Sequence, residues 1–181
     1  MAKAATARAP GETAKVEPAL KLKFLSHGTL ESSDLDRSRQ FYEEFLGIEV
    51  VRTSPVSLMM RLGGDNTIAV VRNLKKTHEM PMLNHNGLDV DTQEEVDAAF
   101  AIVSQQAEKW GITDISTPSL QHGTYSFFFK DMDKNWWEIL TNPKGGYAWM
   151  FEQNGDFQGK GHQDKSMARH GVTTPPPKAV S

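Results

Sequence analysis

A chain of 181 residues, 38% hydrophobic and with a formal net charge of −3, is long enough for one domain with a sizeable core. It contains no cysteine, which excludes disulfides, thiolate metal sites and a cysteine nucleophile, and neither sign of charge gathers into a block suited to nucleic acid or an anionic membrane. No apolar run approaches a membrane span and the N-terminus lacks a secretory signal core, so a cytoplasmic protein is expected.

Residues 1–20 are rich in Ala, Pro, Lys and Glu with little to bury, and read as a mobile N-terminal arm. The run from Leu22 to Leu30 is expected to be a first strand, and Ser32-Ser33-Asp34 supplies N-cap oxygens for a helix from about Leu35 to Leu46. Within it Leu35, Ser38, Phe41, Tyr42 and Phe45 recur at helical spacing, and Gly47 suits the left-handed cap that would end it. From Ile48 the period becomes two. Ile48–Val51, Ser57–Leu62 and Thr67–Val71 read as strands, divided by a turn at Pro55 and by Gly63-Gly64-Asp65-Asn66. A polar connector from Asn73 to Met82 follows.

The order then repeats. His85–Val90 reads as a strand, and Thr92 with Glu95 forms a capping box for a helix from about Glu94 to Trp110 that stops at Gly111. Strands are expected near Asp114–Ser116, over Tyr125–Lys130 and over Asn135–Leu140. Both halves open on a histidine, His27 and His85, 58 positions apart, and both helices end in Gly-Ile. That period is too short for an independent domain and fits two half-domains closing one core. The expected fold is α+β: two paired βαβββ modules, about 22–72 and 83–142, forming a half-open, barrel-like mixed sheet. Residues 143–181 form an extension: Tyr147–Phe151 is an apolar patch suited to a subunit contact, and the rest is a loose tail.

Three side chains occupy corresponding places. His27 and His85 open the first strand of each module, and Glu138 lies in the last strand of the second, between Trp137 and Ile139. A carboxylate in a run fit for the core carries a burial cost that a divalent metal would offset. Two imidazoles and one carboxylate make the open-sided set of non-haem iron(II) oxygenases. The plain alternatives are solvated strand-end histidines and a glutamate facing water on a half-exposed sheet.

Leu25-Ser-His27, Asp34-Leu-Asp-Arg-Ser-Arg-Gln-Phe41-Tyr42, Phe45-Leu-Gly-Ile-Glu-Val, Leu83-Asn-His85 and Phe129-Lys-Asp-Met-Asp-Lys-Asn-Trp-Trp-Glu138 resemble the vicinal oxygen chelate superfamily over about residues 22–142. That superfamily includes glyoxalase I, extradiol catechol dioxygenases and bleomycin or fosfomycin resistance proteins. The resemblance implies His27, His85 and Glu138 as metal ligands. The second of the family's four ligand positions falls near Ile68-Ala-Val70, at Ala69 or one of its apolar neighbours, which leaves the three-ligand arrangement of the extradiol dioxygenases and favours Fe(II), with Mn(II) and Zn(II) as alternatives.

The function this implies is oxygenation or cleavage of a catechol-like aromatic substrate with O2 by a homodimer. The alternatives are glyoxalase-type lyase or isomerase chemistry and metal-free ligand binding. The resemblance further implies His122 and Tyr125 as proton-handling residues. Two departures stand out: Phe128 occupies the usual tyrosine position, and the usual Asp-Pro-Asp-Gly-Asn turn reads Asp131-Met-Asp-Lys-Asn135. Phe128, Trp136 and Met60 are the expected pocket residues, Trp136 because it shares a strand face with Glu138.

Overall fold

A computed structural model describes residues 18–20, 24–75, 79–121, 124–142, 147 and 151. The first module contains β1 (His27–Ser32), α1 (Leu35–Gln40), β2 (Glu49–Ser54), β3 (Ser57–Arg61) and β4 (Thr67–Arg72). The second contains β5 (Asn86–Val90), α2 (Gln93–Trp110), β6 (Ser119–Gln121), β7 (Thr124–Lys130) and β8 (Trp136–Thr141). Each module folds into a mixed four-stranded sheet of the same order, β1-β4-β3-β2 and β5-β8-β7-β6. In each, the first strand runs parallel to the last and the remaining pairs are antiparallel. Two βαβββ modules are therefore present, as the repeat in the sequence implies.

The helices start and stop for local reasons. Asp34 caps α1, its Oδ1 accepting from the backbone N–H groups of Asp36 and Arg37. After Gln40 the coil widens into a π-helical turn, Phe41–Phe45, so the expected single helix is a short α-helix continued by a looser turn. At the second helix the capping box forms: Glu95 N–H donates to Thr92 Oγ1, and Glu95 Oε2 accepts from the N–H of Thr92. Gly47 and Gly111, each at φ +69°, turn the chain out of the two helices.

Two expectations are corrected. No strand forms at Asp114–Ser116: Thr113 makes one isolated bridge to Lys130, and the edge strand lies later, at Ser119–Gln121. The described residues 24–26 are not in the first strand, which begins at His27, and Leu22 lies outside the described residues.

One core serves both modules. The π-turn brings Phe41 within 5.9 Å of the Trp110 ring and 5.3 Å of Phe45, and Tyr42 within 5.9 Å of Trp137. Leu30, Leu58, Val70, Val96, Val103, Phe127 and Phe129 fill the space around them. A polar seam adds to this joint. Asp133, 5% exposed in the β7–β8 turn, accepts from the Ser33 N–H at 2.8 Å, the Ser33 hydroxyl at 2.5 Å and the Ser38 hydroxyl at 2.9 Å. Asp131 is buried beneath it and accepts from Trp137 Nε1 at 3.1 Å and Asn135 Nδ2 at 3.0 Å. Among the described residues, no helix is long and apolar enough to cross a membrane.

Candidate metal centre

In the second sheet, strand alternation separates a core face from a second face that is buried along β7 and β8 and exposed along β5 at Gly87 and Asp89. Tyr125, Phe127 and Phe129 of β7 turn inward, where Phe127 packs edge-on against Phe100 of α2 at 5.5 Å. Phe128 points the other way and pairs across the ladder with Glu138 of β8. Gly87 of β5 lies on the far side of Glu138 and leaves the face clear: a Cβ there would stand 3.9 Å from Glu138 Oε2 and 3.1 Å from Leu140 Cδ2.

Glu138 is 6% exposed, and its Oε2 lies 3.2 Å from His85 Nε2. The other ring nitrogen of His85, Nδ1, is 2.7 Å from the Met82 carbonyl oxygen. A carbonyl only accepts, so Nδ1 carries a proton and donates it. In the neutral ring Nε2 then presents a lone pair to a carboxylate oxygen. Two acceptors at that distance are joined by a proton, on the ring or on the carboxyl, or by a metal ion. The carbonyl contact also fixes the ring's tautomer and direction, as the outer partners of metal-binding histidines do. Phe128 closes one flank of the imidazole, edge-on at 4.9 Å. One directed imidazole nitrogen and one buried carboxylate oxygen are donor types that suit a divalent ion, and they are two donors rather than a complete set.

His27 stands elsewhere. It begins β1 at the edge of the first sheet, exposed, with Nδ1 2.8 Å from the Ser26 hydroxyl. Leu30 and Val70 face the core, so His27, Thr29 and Ala69 lie on the opposite, outward face. Among the described residues no three of His, Cys, Asp and Glu gather closely enough to hold one metal ion. The expected convergence of His27 with His85 and Glu138 therefore does not occur within one described chain. The structure joins His85 to Glu138 and leaves His27 on a separate sheet.

Tyr125 does not share the face of Glu138. Its hydroxyl donates to Asp97 Oδ1 of α2 at 2.8 Å, and burial followed by the Asp97 contact pushes its pKa well up. It is a buried strand-to-helix link rather than a proton-handling group beside the pair, and His122 lies outside the described residues. Phe128 and Trp136 do share the face of Glu138, with Lys130 Nζ 5.0 Å from the Trp136 ring centroid. Met60 is 2% exposed in the core and borders a cleft of about 400 Å³ that also touches Gly87, Asp89 and Trp137.

Asp89, which the sequence reading does not single out, borders the same cleft as Gly87. Asp89 was findable, because His85, Gly87 and Asp89 follow the period of two along β5. Tyr147 and Phe151 are the described members of the apolar patch 147–151, and they are 42% and 84% exposed.

Residues 25–139 match the family model of the Glyoxalase/Bleomycin resistance protein/Dioxygenase superfamily. Among solved structures, a possible glyoxalase from Bacillus cereus aligns with a TM-score of 0.54 and 19% identity, over 66% of this chain and 99% of that one. The genomically encoded fosfomycin resistance protein FosX from Listeria monocytogenes aligns at 0.53 and 21%, over 71% and 98%. Lactoylglutathione lyase from Agrobacterium tumefaciens aligns at 0.51 and 18%, over 70% and 98%. At these identities the likeness is one of fold. No protein of curated function matches the sequence.

Proposed function

Because the chain belongs to the Glyoxalase/Bleomycin resistance protein/Dioxygenase superfamily, we propose that it is a divalent-metal-dependent enzyme acting on a small aromatic substrate with two adjacent oxygens. The observation that carries this reading is the His85–Glu138 pair, a directed imidazole nitrogen facing a buried carboxylate oxygen at 3.2 Å. His85 Nε2 and Glu138 Oε2 would be two ligands, and His27 of a second copy the third. Support for a two-copy site comes from the setting of both histidines. Each sits at the open edge of its sheet behind exposed apolar residues, Phe24 and Leu25 before His27, Met82 and Leu83 before His85.

With Ile68-Ala-Val70 at the family's second ligand position, three protein ligands leave coordination positions free. That arrangement favours an oxygenase that takes a catechol and O2 at Fe(II). A bound metal would supply Lewis-acid polarisation of the substrate oxygens. Phe128 and Trp136 would shape the pocket beside Glu138, and Phe128 would keep water from the His85 ring. The second reading, oxygen-independent lyase or isomerase chemistry, is favoured by one observation: the Tyr125 hydroxyl is committed to Asp97, away from Glu138.

The deciding experiment is metal analysis of protein purified without oxygen, followed by O2 uptake with a panel of catechols. Near-stoichiometric iron with uptake and a yellow ring-cleavage product is the expected result. Metal without uptake would select the lyase or isomerase reading, and failure to hold any divalent metal after reconstitution would sink both.

A further inference from the structure

We propose that Arg61, at the end of β3, determines the specificity of this site by anchoring a carboxylate at the far end of the aromatic substrate. The inference rests on the two-copy metal reading above, with Arg61 supplied by the same copy as His27. It names the substrate class: ring diols that carry a carboxylate, such as 3,4-dihydroxybenzoate.

The placement follows from strand register. His27 pairs with Thr67, Thr67 with Arg61 and Arg61 with Glu49, so one row crosses the whole first sheet. Two residues further along, Thr29, Ala69, Met59 and Val51 form the next row. Leu30, Val50, Leu58, Met60 and Val70 are buried in the core, so both rows lie on the outward face. On that face Glu49, Val51, Met59, Arg61 and Thr67 line a hollow of about 290 Å³. β1 is the edge strand, so the sheet extends from His27 in one direction only, toward Arg61. Neighbouring strands stand about 4.8 Å apart, so Arg61 begins roughly 10 Å from His27, a gap that one substituted ring can bridge. A ring chelated at a metal on His27 would lie over Thr67 and beside Ala69 and Met59, its opposite end toward Arg61.

The chemistry follows from charge and donor count. Arg61 is the permanent cation of the two rows, and the second row is apolar apart from Thr29. A guanidinium carries five N–H donors in a planar fork. Its Nε donates to Glu49 Oε2 at 2.7 Å, and the terminal nitrogens match the two oxygens of a carboxylate. Glu49 competes for the cation, and the charge of Asp65 also reaches it. The Arg61 and Glu49 side chains are 56% and 69% exposed, where an ion pair is weak, so a carboxylate tethered by a metal chelate can share or displace it.

That competitor makes the test two-sided. In Mn2+-loaded protein under nitrogen, calorimetry gives the affinities for 3,4-dihydroxybenzoate and for catechol, and their ratio is the readout. Arg61→Gln should lower the preference for the carboxylate about tenfold, one charged contact, with Mn2+ stoichiometry unchanged. Glu49→Gln should raise it, because a rival for the guanidinium is gone. A preference unmoved by Arg61→Gln overturns the anchor. Equal losses in the two variants also overturn it, since they mark the pair as structural. Bound Mn2+ with neither diol bound overturns the substrate class and leaves the metal reading standing. If wild type holds no Mn2+, the metal reading itself has failed, and Arg61 falls with it.

Discussion

His85 gives its Nδ1 proton to the Met82 carbonyl, and what lies between its other nitrogen and Glu138 then decides what the protein can do. His85→Ala and Glu138→Gln should each remove most bound metal, by tenfold or more in affinity, while far-UV circular dichroism stays native. Full metal occupancy in either variant would mean the ligand set is wrong. Tyr125 gives the contrasting case. Tyr125→Phe removes a buried hydrogen bond to Asp97 and should cost about 1 kcal/mol in denaturant unfolding, with metal affinity unmoved. A metal affinity that fell with it would return Tyr125 to the site. At this scale the sequence was legible where a residue's surroundings are local: Glu138 between Trp137 and Ile139 announced a buried charge. It was not legible for Tyr125, because the pairing register of β7 with β8 decides which residues share the face of Glu138.

The helices and most strands were legible as elements, since Thr92, Glu95, Gly47 and Gly111 act through their nearest neighbours in the chain. The π-turn at Phe41–Phe45 and the edge strand at Ser119–Gln121 were not. Both answer to packing across the modules or to pairing with β7, which no local propensity encodes. The two capping glycines offer a matched test. Both sit at φ +69°, but a Cβ at Gly47 would meet nothing within 4 Å, whereas at Gly111 it would lie 2.9 Å from Arg37 Nη2 and 3.3 Å from Met132 Cβ. Gly47→Ala should cost about 1–2 kcal/mol from backbone strain alone, and Gly111→Ala more, read by chemical denaturation. Equal losses would show that the contacts at Gly111 relax freely.

The connector to the β7–β8 turn makes a second prediction. Glu79 is held at about 2, below its ordinary 4.5, by hydrogen bonds from Lys130 and then Lys134. A lowered carboxyl pKa adds stability that is complete above the unfolded value and fades as pH falls through the folded one. Glu79→Gln should therefore lower the melting temperature slightly at about pH 7, and the gap to wild type should close at about pH 2. A gap that persists there would assign the effect to packing.

At the scale of the whole molecule, the two-fold repetition was visible as soon as His27 and His85 were aligned. The separation of the modules into two sheets was not, because which strand edges meet is settled by long-range packing. The two-copy site makes a prediction that no single-chain site can share. Mixing unfolded His27→Ala and Glu138→Gln chains and refolding them together should recover metal binding that neither variant has alone. Each mixed pair would hold one intact His27 and one intact His85–Glu138 pair across one interface. Failure to recover any metal would confine the site to a single copy.

The seam at Asp133 has a consequence for the chain during its synthesis. Ser33 and its carboxylate partner are 100 residues apart in sequence, and Phe41 and Tyr42 await Trp110 and Trp137. At about 5–20 residues per second, the first module spends roughly 5–20 s emerged from the ribosome with its aromatic face bare and its hydroxyls unpaired. A nascent chain stalled before Trp110 should thus remain open to proteolysis and bind chaperones, whereas one stalled well past Thr141 should resist both.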